Sequence, residues 1–281
     1  MRVDSLREPQ PILVCDLFPE LRARLLDLLD GLSATEWNLP TSAAMWSVKD
    51  IALHLLAGDI GILSRKRDGF SQPGAALETW DDLVKFINAL NQSWVEAARR
   101  LSTRVLCDLL AHLSPQVEAY FASLDPYALG DSVSWAGSGP APVWLDIARE
   151  YTERWHHQQQ IRDAAGRSGL YEERLFAPVL ETFVRALPHT FRRVDAAPGT
   201  AVQLLIQGAA GGQWCVRKTS SAWELLLGTD SNAAARVTIA SEDAWKIFTR
   251  GLRGDEARKR VGMEGNPKLA HKVIEMVSVI A

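Results

Sequence analysis

The stretch that decides the fold runs from Pro142 to Arg167, PVWLDIAREYTERWHHQQQIRDAAGR, and its pattern predicts one long helix. Proline is tolerated in the first turn of a helix and glycine often ends one, which fits Pro142 and Gly166. An apolar stripe from Val143 to Ile161 is expected to face a core. Beside it, five polar side chains recur three or four residues apart and share a face: Asp146, Glu150, Glu153, His157 and Gln160. This polar face is either a solvated flank or a set of groups that point inward.

Glu153 and His157 are the pair in this helix that best fits a metal site. Residues four apart on a helix have Cβ atoms about 6 Å apart, so a carboxylate oxygen and a ring nitrogen can both reach one ion at about 2.1 Å. Two ligands from one helix are rarely enough. His54 is the candidate for the third, although a lone histidine in an apolar helix is more often a core residue. His156 is the rival of His157, but it points about 100° away, which predicts a side chain turned toward solvent.

Composition sets the limits on the class of protein. The chain has 281 residues, of which 47% are hydrophobic and 23% charged, so it is long enough for two domains with their own cores. A net charge of −3 gives no reason to expect nucleic acid or an anionic membrane as a partner. The cysteines show no C-x-x-C spacing, and no segment reaches the roughly 18 apolar residues of a membrane span. We therefore expect a soluble cytoplasmic protein, as a monomer or homodimer.

Helical periodicity dominates the first part of the chain. It predicts helices at about residues 18–32, 80–101 and 102–124, besides the long helix quoted above. Another helix is expected to start at Ser47, an N-cap whose partner in a capping box is Asp50. This helix carries His54. Four or so long helices with irregular connections predict a helical bundle over residues 10–170.

The pattern changes after Gly169. A helix and a linker are predicted over residues 171–194. Four short runs follow, AVQLLIQG, GQWCVRK, AWELLLG and ARVTIAS, whose apolar and β-branched content predicts antiparallel strands. Two more helices are expected, from Ser241 and from Pro267. The sequence thus predicts an α+β multidomain protein, with a four-helix bundle followed by a small α+β domain over residues 195–281.

Two motifs carry a resemblance to a known superfamily. The run WSVKDIALHL at 46–55, followed by ERWHHQQQI at 153–161, resembles the DinB/YfiT-like four-helix bundles. The resemblance implies a divalent metal held by one histidine from the second helix and an E-x-x-x-H pair from a later helix. Those ligands would be His54, Glu153 and His157.

A glutamate at the first position of that pair resembles the mycothiol-dependent maleylpyruvate isomerase branch. Members of that branch also carry a C-terminal α+β domain related to sterol carrier proteins. The runs ARVTIASEDAWKIFTRGL at 235–252 and GNPKLAHKVIEM at 265–276 are similar to such a sterol-carrier-like domain. Gln160 is a departure, because many members of the branch have an aspartate three residues after the histidine of the pair.

The resemblance implies an enzyme that activates a low-molecular-weight thiol such as mycothiol, for isomerisation or thiol transfer on a small electrophilic substrate. Zinc is the first choice of metal, with nickel, iron or manganese as alternatives. Asp146 and Glu150 are candidates for groups that orient the histidines, although a solvated acidic face explains them equally well. Two other functions stay open. One is a metal-dependent hydrolase or stress-response protein without a thiol, and the other is a ligand-binding module with a structural metal.

Overall fold

The computed structural model describes residues 6–43, 45–70 and 79–278. Contacts divide the chain into two units. The bundle unit consists of the described residues of Leu13–Pro126 and Glu150–Leu170. The sheet unit consists of the described residues up to Ile12, of Tyr127–Arg149 and from Tyr171 onward. The domain limits predicted at residues 170 and 195 stay predictions.

Long helices form the bundle unit, as the periodicity predicted. They are α1 (Phe18–Asp30), α2 (Val48–Gly61), α3 (Trp80–Ala98), α4 (Thr103–Ala122) and, from Glu150 on, α5 (Val143–Ala164). A six-residue π-helix, Ile62–Arg67, directly follows α2. Leucine and isoleucine side chains from these helices make one core, with Leu29, Ile51, Leu106 and Ile161 fully buried in it. The helical bundle is confirmed.

The start of α2 is fixed by the capping box read from the sequence. The Ser47 hydroxyl accepts a hydrogen bond from the Asp50 N–H at 3.3 Å, and the Asp50 carboxylate accepts one from the Ser47 N–H at 3.0 Å. Arg99 adds an ion pair to the same carboxylate at 2.8 Å. Burial alone would raise the pKa of Asp50, but the hydrogen bonds from Arg99 and Ser47 outweigh burial and lower it. This cap sets the helical phase of His54, two turns further on.

The long helix α5 begins one residue after Pro142 and ends as expected at glycine. A two-residue strand, β2 (Ala141–Pro142), precedes it and pairs with β1 (Leu129–Gly130). Gly166 has a φ of 63°, which favours glycine, and the Arg167 N–H bonds back to the Arg162 carbonyl at 2.8 Å. The helix therefore carries the whole predicted polar face without a break.

The sheet unit combines helices with one five-stranded sheet. Its helices are α6 (Glu173–Val184), α7 (Leu187–Phe191), α8 (Ser241–Phe248), α9 (Gly254–Lys259) and α10 (Pro267–Ile274). The strands are β3 (Ala201–Gln207), β4 (Gly212–Lys218), β5 (Trp223–Leu227), β6 (Ala235–Ala240) and β7 (Val261–Gly265), in the order β5-β4-β3-β6-β7. The predicted α+β class is confirmed.

Two features of this sheet differ from the sequence expectation. The expectation of antiparallel strands is wrong for β3 and β6, which pair in parallel. The chain crosses from the edge strand β5 back to the free side of β3, and strand patterns do not reveal such a crossover. The strand β7, with the sequence VGMEG, was not predicted because its two glycines weaken any strand pattern.

Within the described residues, no helix combines the length and the apolar character that crossing a bilayer requires.

Candidate metal centre

Two helices of the bundle unit bring together the three candidate ligands predicted from the sequence. His54 lies in the middle of α2, and Glu153 and His157 lie one turn apart on α5. One ligand atom from each of the three residues lies within 4.8 Å of the other two. The His157 Nε2 is 3.4 Å from a Glu153 carboxylate oxygen. The rings of His54 and His157 meet edge to face, with centroids 4.6 Å apart.

His54 is a neutral base with a buried nitrogen in need of a partner. Its ring contacts Trp46 at 4.9 Å between centroids, and its Nδ1 has no hydrogen-bond partner within the described part of the chain. Burial, followed by the proximity of His157, lowers the pKa of His54 to about 3, against the opposing effect of Glu153. Leaving such a nitrogen unsatisfied costs about 1–3 kcal/mol. Its one unprotonated ring nitrogen is therefore suited to a metal ion.

His157 is held from both ends of its ring. Its Nδ1 lies 2.8 Å from the Gln160 side-chain oxygen, and its Nε2 faces Glu153. The side chains of His157 and Gln160 are both buried. Gln160 departs from the pattern of the resembling family, and the sequence predicted no contact for it.

The prediction that His156 turns toward solvent is wrong. Its side chain is only 6% exposed, and its ring lies 5.0 Å from that of His157. The reason is that the side chains of α5 from Glu150 to Ile161 are all buried or partly buried. The apolar stripe is therefore not the only buried face of this helix. Burial, with a smaller effect of His157, lowers the pKa of His156 to about 3. The group of ligand atoms nevertheless contains His157 and not His156.

A buried ion cluster beside this site was missed by sequence reasoning. Arg154 binds Asp59 of α2 at 2.7 Å and Glu150 at 2.8 Å. Its guanidinium also lies over the ring of Phe18, at 5.6 Å from the centroid. Burial works to lower the pKa of Arg154, but the two carboxylates outweigh it and raise the pKa. The only signal in the sequence was the spacing of four between Glu150 and Arg154.

Asp146 and Glu150 were predicted to orient the histidines. Asp146 accepts hydrogen bonds from Arg149 at 2.8 and 3.0 Å, and Glu150 accepts one from Arg154. Both carboxylates thus bind arginines of their own helix. An orienting role for either stays a prediction.

Comparison with known proteins connects this geometry to one family. The sequence model of the family described as "Mycothiol maleylpyruvate isomerase N-terminal domain" matches residues 18–162, just over half of the chain. All three proposed ligands lie inside the matched range. No protein of curated function matches the sequence.

Solved structures extend the likeness to the fold of both units. The crystal structure of a histidine-to-alanine mutant of the mycothiol-dependent maleylpyruvate isomerase has a TM-score of 0.54 and 10% identity, and covers 89% of this chain and 91% of its own. A second structure of the mycothiol-dependent maleylpyruvate isomerase has a TM-score of 0.52 and 10% identity, covering 84% and 88%. At this identity the likeness concerns the fold alone.

A smaller structure matches part of the chain. Sterol carrier protein 2 like 2 from Aedes aegypti is 23% identical over 35% of this chain and 95% of its own. Its TM-score of 0.28 supports no conclusion.

Proposed function

The chain belongs to the mycothiol maleylpyruvate isomerase N-terminal domain family, and from this premise we propose that it is a metal-dependent isomerase that uses a low-molecular-weight thiol. The observation that carries the proposal is the meeting of His54, Glu153 and His157 inside the bundle unit. Two solved structures with a similar fold are of the mycothiol-dependent maleylpyruvate isomerase, which supports mycothiol as the thiol and a maleylpyruvate-like acid as the substrate.

The donor set fits a divalent ion. Two imidazoles and one carboxylate are the ligands of many open zinc sites, and nickel, iron and manganese accept them too. The lowered pKa keeps His54 neutral at pH 7, so no proton competes with a metal there. When bound, an ion with three protein ligands supplies an open position where a thiol loses its proton and a carbonyl is polarised.

The proposed isomerisation needs no reactant besides the substrate and the thiol. The thiolate forms a carbon–sulfur bond at one end of the cis double bond of the maleylpyruvate-like substrate. The electron pair of that double bond moves onto the conjugated carbonyl. Rotation about the resulting single bond follows. The electron pair then returns and the carbon–sulfur bond breaks. This releases the thiolate and the trans product, which has the same atoms as the substrate. The thiolate is the reactive form, because a protonated thiol is a poor nucleophile.

Four side chains have parts in this proposal. His54 and His157 offer ring nitrogens from two different helices, so the site exists only when α2 and α5 pack correctly. Glu153 supplies one negative charge, which offsets part of the charge of a divalent ion. Trp46 covers one side of the His54 ring, and such an aromatic wall keeps water from that side.

Metal analysis and a thiol-dependence assay test the proposal. We expect about one divalent ion per chain, and isomerisation of maleylpyruvate only when mycothiol is present. His157→Asn should lose both the metal and the activity. The matched control is His156→Asn, which changes the adjacent buried histidine and should keep the metal. Turnover that is independent of thiol would favour a hydrolase, and a wild-type protein that binds no metal would refute the proposed centre.

A second candidate, ligand binding by the sheet unit, has one supporting observation. A cavity of about 480 Å³ is lined by residues of β3, β4 and β6 and of the loop after β5: Gln203, Leu205, Gln213, Thr229, Arg236, Val237 and Thr238. Its volume suits a small organic molecule. The assay above separates the candidates, because a binding module with a structural metal would keep the metal and show no turnover.

A further inference from the structure

We infer that Gln160 is a positioning residue that fixes the tautomer of His157 and turns its Nε2 lone pair toward Glu153 and His54. The part of this inference that concerns metal affinity rests on the proposed function. The part that concerns the tautomer does not, because it follows from the protein alone.

The contact that carries the inference joins two buried side chains on one helix. The Gln160 Oε1 lies 2.8 Å from the His157 Nδ1. The two residues are three apart, a spacing that makes them neighbours on the helix surface. An amide oxygen only accepts hydrogen bonds, so the His157 Nδ1 must carry the hydrogen. In the neutral form of the ring the Nε2 is then the bare nitrogen, and it is the atom that lies 3.4 Å from Glu153.

The two preceding glutamines show that this contact is specific to Gln160. Gln158 donates to the Leu21 carbonyl of α1 at 3.0 Å, and so ties α5 to its neighbour. Gln159 accepts from the Leu170 N–H at 3.0 Å, and so holds the chain that follows the helix. The three consecutive glutamines therefore bind three different partners. Gln158 provides a matched control on the same helix.

The amide of Gln160 offers His157 an acceptor that carries no charge. A carboxylate acceptor would also fix the ring, but it would add a second negative charge beside Glu153. Charge-assisted hydrogen bonds are roughly twice as strong as neutral ones, and groups that support a ligating histidine typically change metal affinity about 10–100-fold. We therefore expect Gln160→Leu to weaken metal binding and the isosteric Gln160→Glu to strengthen it.

The tautomer is tested on metal-free protein by the ¹⁵N chemical shifts of the His157 ring at pH 8. The expected wild-type signature is a protonated Nδ1 and a bare Nε2. Gln160→Leu should shift the ring toward the Nε2–H form, whereas Gln158→Leu should leave the signature unchanged. A wild-type ring protonated at Nε2, or a signature that Gln160→Leu does not alter, would overturn the inference.

The effect on metal binding is tested with Zn²⁺ in competition with a chelating dye. Gln160→Leu should bind about 10–100-fold more weakly than the wild type, and Gln160→Glu more tightly. Gln158→Leu should lower the unfolding temperature but keep Zn²⁺ affinity within about threefold of the wild type. Equal affinities in all four proteins would overturn the metal part of the inference. If no protein binds Zn²⁺ while the tautomer behaves as expected, the proposed function fails and the positioning role of Gln160 stands.

Discussion

The interiors of the two units differ in the kind of polar group they bury. Among the described residues, every buried carboxylate and imidazole belongs to the bundle unit: Asp50, Asp59, Glu150, His156 and His157. The sheet unit buries only neutral polar side chains, namely Thr182, Gln203, Thr249 and Ser278. Each of these four donates a hydrogen bond to a backbone carbonyl.

This contrast separates neutral polar groups, which are satisfied by backbone carbonyls, from ionisable groups, which need partners of their own. A buried hydroxyl that donates to a backbone carbonyl has its one hydrogen-bond donor satisfied locally. Buried charges and imidazoles are costly unless they are paired, and they collect where chemistry needs them. The proposed metal centre lies in the unit that buries carboxylates and imidazoles, and the sheet unit buries neither among the described residues. The predictions below test this difference, from the largest expected effect to the smallest.

The largest effect is expected from Arg154→Met. The substitution removes the guanidinium that pairs with Asp59, a carboxylate that is 2% exposed. Breaking a buried ion pair by removing one partner costs about 3–5 kcal/mol, because the other charge stays buried. Urea unfolding followed by tryptophan fluorescence measures the loss.

The matched control for that prediction lies in the sheet unit. Arg217 pairs with Glu224 at 2.9 Å, with both side chains about two-fifths exposed. Exposed pairs contribute only about 0–1 kcal/mol, so Arg217→Met should have a small effect. Comparable losses from the two variants would remove the distinction between the two interiors.

A middle-sized effect is expected from acid, acting through His156. Its pKa is about 3 in the folded protein and about 6.5 in the unfolded chain, so below pH 6.5 the unfolded chain binds a proton that the folded protein does not. The contribution of His156 to the free energy of unfolding is therefore complete above about pH 6.5 and is lost as the pH falls toward 3. At pH 5 the free energy of unfolding should be lower by about 2 kcal/mol from this group alone.

Urea unfolding of metal-free protein at pH 7.5 and pH 5 checks this effect. The free energy of unfolding differs between pH 7.5 and pH 5, and this difference should be about 2 kcal/mol smaller in His156→Gln than in the wild type. His189 of the sheet unit is only half-buried, although its pKa is also lowered, by burial and by Arg192 and Arg193. His189→Gln should change the pH difference less than His156→Gln does, and the opposite order would contradict the burial argument.

The smallest effect is expected from Thr249→Val in the sheet unit. The Thr249 hydroxyl donates to the Trp245 carbonyl at 2.8 Å, one helical turn earlier. Valine has nearly the same shape, and the loss of one such hydrogen bond costs about 1 kcal/mol. Thermal unfolding should show a shift of a few degrees at most. A much larger loss would mean that neutral buried groups are as critical to the sheet unit as ion pairs are to the bundle unit.

Local patterns in the sequence predicted much of the fold. The capping box at Ser47 and Asp50, the long helix and its end at Gly166 depend on spacing within a few residues, and the structure has all of them. The four predicted strands are present as well. The parallel pairing of β3 with β6 was not predictable in this way, because it depends on which sheet edge a distant strand reaches.

What the sequence by itself determined is which chemical groups α5 and α2 carry and in what helical phase. Spacing of three and four residues made Glu153, His157 and Gln160 neighbours, and the motif around His54 named the third group. Only the tertiary structure decided that α2 and α5 meet at these residues and that His156 is buried. It also brought Asp59 of α2 to Arg154 of α5. The physical reason is that helical periodicity fixes directions around one axis, whereas burial and ion pairing depend on the helices packed on every side of it.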